Sequence, residues 1–265
     1  MDRSRIHQKR AKNAPQRVPS LTALLRLCRA VLGLGLFSLL GCLWLILPIR
    51  LGVDLPRYAF SILCWSFGIR IEHLNSLPQT PGLLLANHVS WTDIAVIGAI
   101  SHIGFVAKNE VRHWPFIGKL AERYGCVFVA RGRRAAVKMD MNNLARFASQ
   151  RSVILFPEGT TGDGSALLPF RSSLVGAVAG TTQHCSPLAL AYYWADGRPL
   201  GHAGWTAVAW VGEEGLMPHV LRLALMPPIK VIVSFGEPIY ATCRKDLCHR
   251  ASQSVKMLLA QSYGH

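Results

Sequence analysis

Acidic residues are scarce in this chain. Asp and Glu total 14 against 29 Lys and Arg, a formal charge of +15, and charged residues of both signs make up only 16% of the 265 residues. With a mean hydropathy of +0.27 and a pI near 10.0, the chain is too oily for an ordinary soluble nucleic-acid binder, and it carries no nucleic-acid recognition motif. Anionic lipid is the partner that positive charge combined with apolar surface favours. The seven cysteines form no C-x-x-C pair and are odd in number, so neither a disulfide framework nor a zinc ribbon is indicated, and a reducing compartment fits. Cys243, Cys248 and His249 lie close in sequence but read as packing residues of a C-terminal helix, so no metal site is expected. Internal repeats are lacking. So are a G-x-S-x-G nucleophile elbow and a small-residue cleavage signature behind the N-terminal basic segment.

The length suits one α/β domain plus a short membrane-facing extension. Residues 1–20 carry Arg3, Arg5, Lys9, Arg10, Lys12 and Arg17 with almost no apolar periodicity, the pattern of a disordered basic arm. Residues 21–69 hold two apolar stretches. Ala30 to Leu47 is a run of 18 uncharged residues, at the lower limit for spanning a bilayer helically, and Tyr58 to Gly68 is too short to span. Gly52, Asp54 and Pro56 mark a turn between two hydrophobic helices.

Residues 70–265 read as the main domain. Short apolar runs at Gly82–Ala86, Ile103–Ala107, Cys126–Ala130, Val153–Phe156, Leu188–Tyr193, Thr206–Val211 and Lys230–Phe235 are strand candidates. Continuous runs such as Leu83-Leu84-Leu85 suit strands covered on both faces, hence a mixed, largely parallel sheet flanked by helices. Between Ala135 and Gln150, Val137, Met141, Leu144 and Ala148 recur at helical spacing.

Asn87-His88-Val89-Ser90-Trp91-Thr92-Asp93 follows the strand candidate Gly82–Ala86 and precedes the apolar run Ile94–Ile100. That context places His88 at a strand end and Asp93 in the first turn of the next element, where its carboxylate can reach back to the imidazole. Such a pair suits a general base, the Asp fixing the tautomer and stabilising the imidazolium. The spacing alone is a weak motif that arises by chance. Its company strengthens it: Phe156-Pro157-Glu158-Gly159-Thr160 also ends a buried strand, where α/β folds place functional loops.

Together these blocks resemble the glycerolipid acyltransferase family that includes the 1-acylglycerol-3-phosphate acyltransferases. Asn87 to Asp93 matches the family's N-H-x-x-x-x-D block and Phe156 to Thr160 its F-P-E-G-T block. Gly125 to Arg131 and Ser186 to Leu190 resemble the two remaining blocks, in the family's order. The resemblance implies a glycerol-3-phosphate acyltransferase-like α/β fold that moves an acyl chain from acyl carrier protein or CoA to a lysolipid hydroxyl, with no cofactor beyond that co-substrate. It implies His88 as base, Asp93 as its partner, and Arg131, Glu158, Gly159 and Thr160 as binders of the acceptor head group. Lys108 resembles a lysine near the thioester carbonyl, where a cation steadies the oxyanion. The bland alternatives are a solvated Lys108, a Glu158 that merely caps a following helix, and a charged face over Lys108 to Arg151 that is only solvated.

One position departs from the pattern. Enzymes of this kind acting on lysophosphatidic acid commonly carry an arginine after E-G-T, and here that residue is Thr161. The stretch through Arg171 to Gly176, and Trp210 to His219, look more like the bacterial lyso-ornithine lipid acyltransferases. The preferred acceptor is therefore expected to be lyso-ornithine lipid, with Thr161 and Arg171 at the acceptor site; lysophosphatidic acid is the alternative, and a non-enzymatic membrane adaptor a remote one. Eight Lys or Arg precede Ala30, which keeps the N-terminus cytoplasmic. A single crossing would export the domain away from cytosolic thioesters, whereas an N-terminal hairpin embedded in one leaflet leaves it on the cytoplasmic face of the inner membrane. On hydropathy alone both topologies stand. Oligomeric state, donor carrier and acyl length are left open.

Overall fold

The computed structural model describes residues 20–48, 54–130 and 134–264. The basic arm expected over 1–20, apart from Ser20, and the turn glycine Gly52 lie outside the described residues. Two helices come first, α1 over Leu21–Ile46 and α2 over Leu55–Ser66. Ser20 Oγ accepts from Ala23 N and Asp54 Oδ1 from Arg57 N, each at 3.3 Å, so each side chain satisfies an amide that the first helical turn leaves unpaired. The apolar run beginning at Ala30 is thus part of a longer helix.

By length and composition α1 is able to cross a membrane, yet both of its ends hold the body of the protein. Near its start Arg26 Nη1 donates to Leu225 O at 3.1 Å, and near its end Leu45 O accepts from Arg123 Nη1 at 2.8 Å. Between these anchors Gly33 permits close approach of α2, since a Cβ there would lie 1.7 Å from Ser66 Oγ. A stripe containing Leu32, Leu36, Leu39 and Leu43 stays exposed.

The strands are β1 (Ile69–Leu74), β2 (Gly82–Ala86), β3 (Gly104–Lys108), β4 (Val127–Val129), β5 (Val153–Leu155), β6 (His184–Trp194) and β7 (Ile229–Phe235). The remaining helices are α3 (Thr92–Ile100), α4 (Ile117–Tyr124), α5 (Arg134–Gln150), α6 (Gly201–Val208), α7 (Leu216–Leu225) and α8 (Arg244–Tyr263). One sheet results, in the order β1-β7-β6-β2-β5-β3-β4. All its pairings are parallel except that of β6 with β7, so the mixed, largely parallel α/β architecture read from the sequence is present.

Alternation along the central strands builds two cores. Leu84, Ala86 and Ile154 join residues of α1, α2, α3 and α7 on one face; Leu83, Leu85, Val153 and Leu155 join residues of α5 and α8 on the other. Leu83, Leu84 and Leu85 have no exposed surface, and each contributes roughly 1.5–3 kcal/mol through burial.

One expected strand is absent and one unexpected strand is present. Thr206–Val211 is no strand: its first residues complete α6, with Thr206 Oγ1 donating to His202 O one turn back at 2.9 Å, and the rest runs on as a loop. Periodicity cannot separate a short apolar run in a helix from one in a strand. Conversely β1 was not foreseen, because this edge strand alternates Arg70 and Glu72 with its apolar residues and is mostly exposed, as protected edges commonly are. The strand expected from Leu188 begins earlier, at His184. Pro187 falls where β7 no longer pairs, so its missing N–H disturbs no bond to that neighbour.

Candidate active site

The site sits at the C-terminal ends of β2 and β5. Asn87, the first residue after β2, is held by β6: its Nδ2 donates to Leu190 O at 3.0 Å while its Oδ1 accepts from Leu190 N at 2.8 Å. This pins the chain just before His88. Asp93, fully buried in the first turn of α3, accepts through Oδ2 from His88 Nδ1 at 2.7 Å, from Val89 N at 2.8 Å and from Ser90 N at 3.1 Å. The phenol of Tyr192 donates to the other oxygen, Oδ1. A carboxylate so supplied with donors fixes Nδ1 as the protonated ring nitrogen. Nε2 has no protein hydrogen-bond partner among the described residues, and His88 lines a cavity of about 740 Å³. Phe156 stacks on the imidazole at 4.0 Å between centroids, limiting the ring's freedom to turn.

Glu158 is placed differently from the head-group role and from the helix cap that the sequence allowed. No helix follows it directly. Its Oε1 accepts from His88 N at 2.7 Å and its Oε2 from Leu168 N at 3.1 Å, and Gly162 N donates to His88 O at 2.7 Å. The glutamate therefore ties the loop after β2 to the loop after β5. Burial pushes its carboxyl up to about 7, with nearby Asp93 acting in the same direction and the two amide donors opposing.

The cavity runs from His88, Lys108 and Thr160 to Phe37 and Trp44 of α1 and Ala59 and Leu63 of α2. One end is polar and carries His88; the rest is walled mainly by apolar side chains, as suits a fatty chain.

With this geometry, two comparisons bear on the chain's family. The Acyltransferase family profile matches residues 68–191. A lyso-ornithine lipid O-acyltransferase of Rhizobium meliloti is 37% identical over 83% of this chain and 78% of its own length. The chain belongs to the acyltransferase family. Another relative of this acyltransferase, a 1-acyl-sn-glycerol-3-phosphate acyltransferase of Neisseria gonorrhoeae, is 31% identical over 72% of this chain and 75% of its own. Among solved structures, the 1-acyl-sn-glycerophosphate acyltransferase PlsC of Thermotoga maritima superposes with a TM-score of 0.61, covering 90% of this chain and 95% of that one, at 16% identity. That likeness concerns the fold alone.

Of the residues singled out in this acyltransferase, the structure brings His88, Asp93 and Glu158 into direct contact. Gly159 adopts φ +74°, a left-handed conformation that favours glycine, and Arg171 lies against it. Lys108, Thr160 and Arg171 are exposed and line the cavity. Thr161 lines it too, with its hydroxyl donated to Trp210 O. Arg131 lies outside the described residues.

Local spacing missed Tyr192, which lies 99 residues from the carboxylate it serves. It also missed the work of the loop after α6. Trp210 N donates to Val89 O at 2.9 Å, beside His88. His219 accepts from Trp91 Nε1 at 2.9 Å and bonds Val208 O at 3.1 Å, and burial pushes its pKa down. These bonds strap residues 208–219 over the loop that carries His88.

Proposed function

We propose that this acyltransferase moves a fatty acyl chain from an acyl carrier protein or CoA thioester onto the free hydroxyl of lyso-ornithine lipid, with His88 as general base. The observation that carries the mechanism is the pairing of His88 Nδ1 with buried Asp93, which leaves Nε2 open to the cavity. The acceptor hydroxyl attacks the thioester carbonyl carbon as Nε2 takes its proton. Asp93 stabilises the resulting imidazolium. The tetrahedral intermediate then collapses, the C–S bond breaks, and the imidazolium returns the proton to the departing thiolate. Lys108, at the end of β3, offers a cation for the oxyanion, and the apolar part of the cavity takes the acyl chain. Arg171, Gly159 and Thr160 form the head-group side, and the family resemblance assigns Arg131 the same task.

The phosphate-free acceptor is supported by the relative from Rhizobium meliloti and by Thr161, which holds the position after Glu158-Gly159-Thr160 without a cation and commits its hydroxyl to Trp210. The second reading, acylation of 1-acyl-sn-glycerol-3-phosphate, has the molecule in the neisserial relative's name behind it. A competition between both lysolipids for one acyl donor separates them. Product is expected mainly on lyso-ornithine lipid; a clear preference for the phosphate acceptor overturns the assignment and leaves the acyl-transfer chemistry standing.

The N-terminal helices embed in one leaflet of the inner membrane, with the catalytic domain on the cytoplasmic face. Support comes from the two anchored ends of α1. In a helix crossing the bilayer the two ends would lie on opposite sides of about 30 Å of hydrocarbon, and a domain bonded to both would have to sit inside the bilayer beside it. A helix lying flat buries its exposed leucine stripe in the interface.

A further inference from the structure

A second concavity, of about 520 Å³, lies on the far side of α2 from the catalytic cavity. The two share no lining residue: Leu55, Pro56, Ala59, Phe60 and Leu63 face the catalytic cavity, while Arg57, Ser61, Cys64 and Trp65 face the second. That division is what a helical period produces. Arg29 of α1 and Arg70 and His73 of β1 complete its polar wall, and no Asp or Glu lines it.

The three arginines are available for an anion. Arg29 Nε donates to Ser66 O and Arg57 Nε to Ala99 O, each at 3.2 Å, so each guanidinium is aimed by one backbone bond made at Nε. Among the described residues none of the three is ion-paired, and Arg70 has no side-chain hydrogen bond at all. A guanidinium fork matches two oxygens of a phosphodiester. The groove also borders the apolar stripe of α1: Arg29 flanks Leu25, Leu32 and Leu36 along the helix, and Trp65 and Tyr58 of α2 are 48% and 59% exposed. Aromatic residues of this kind settle at the level of lipid head groups.

We propose that this groove binds the phosphodiester head group of an anionic membrane phospholipid, one that is neither acyl donor nor acceptor, and so docks the catalytic domain beside its membrane helices. The occupant is a bilayer lipid rather than free phosphate because the cationic wall lies at the margin of the only long apolar stripe exposed among the described helices.

The test is flotation of the purified full-length protein with vesicles of phosphatidylcholine alone, or of phosphatidylcholine with one fifth phosphatidylglycerol. Arg70→Gln removes a side chain that supports nothing in the fold, and Arg57→Gln/Arg70→Gln removes two charges. Lys245→Gln/Lys256→Gln, on the opposite face of the sheet, is the charge-matched control. Phosphatidylglycerol is expected to strengthen binding of the wild type. Each groove arginine removed should cost that gain about fivefold, since a basic residue near an anionic surface is worth about 1 kcal/mol, and the control should keep it. Equal losses in groove and control variants would mean diffuse charge and overturn the proposal, as would a wild type indifferent to phosphatidylglycerol. Inorganic phosphate at ionic strength matched with chloride should not displace the protein; displacement specific to phosphate would assign the groove to the free ion instead. No arm uses acyl transfer, so the outcome is independent of the proposed reaction.

Discussion

Tyr192 donates its phenolic hydrogen to Asp93, from the middle of β6 to the first turn of α3. Both residues are fully buried. Burial, reinforced by Asp93, pushes the phenol pKa well above its usual range, so Tyr192 remains a donor throughout the working pH range. Replacing it with Phe leaves a buried carboxylate oxygen without its donor. Tyr192→Phe is expected to lose about 1–3 kcal/mol of stability in chemical denaturation. It should also lose roughly tenfold in kcat, the equivalent of about 1.4 kcal/mol in the barrier, with the acceptor KM little changed.

His88→Ala removes the proposed base while leaving Asp93 its donors from Val89, Ser90 and Tyr192. Turnover measured with labelled acyl donor should fall by at least about 10²-fold. Asp93→Asn should be impaired as well, because an amide cannot stabilise the imidazolium. Near-normal turnover in His88→Ala places the base elsewhere.

Glu158 makes stability depend on pH in a definite direction. Its carboxyl is raised from 4.5 to about 7 in the folded protein, so between those values the folded state holds a proton that the unfolded state has released. This contribution is fully present below the unfolded value and is lost as pH rises through about 7. In Glu158→Gln that component should vanish from the profile of Tm against pH. The variant should also be less stable at all pH values, since the amide's NH2 faces either His88 N or Leu168 N, both donors. An unchanged slope between pH 4.5 and about 7 would refute the assignment.

Ala59 is 7% exposed and lines the catalytic cavity at α2. Ala59→Leu fills part of the apolar end and should shift preference toward shorter acyl donors, by roughly 0.8 kcal/mol for each methylene that no longer finds room. Comparing kcat/KM across a series of chain lengths checks this. A uniform loss over the series would place the chain elsewhere.

The leaflet-bound topology predicts that Cys243, an exposed thiol ahead of α8, resists a membrane-impermeant maleimide in intact cells and reacts after lysis. Labelling from outside would establish a crossing by α1.

How much of this was legible in sequence varies residue by residue. His88 and Asp93 are five positions apart, so the strand end after Gly82–Ala86 and the start of the next helix suffice to bring them together. The runs at Leu83 and Val153 announced central strands because such strands are apolar throughout. β1 escaped notice because an exposed edge carries charge, and Thr206–Val211 misled because few residues separate a helical from an extended apolar run.

Residue order alone settles what is local: the pairing of His88 with Asp93, the loops that end the buried strands, the apolar helices and the excess of positive charge. It took the folded chain to bring Tyr192 to Asp93, Glu158 to the backbone of His88, and both ends of α1 back to one body. The reason is physical. Hydrogen bonds within one turn of chain follow from spacing, whereas bonds between residues 70 or 99 positions apart depend on sheet order, set by packing of the whole core.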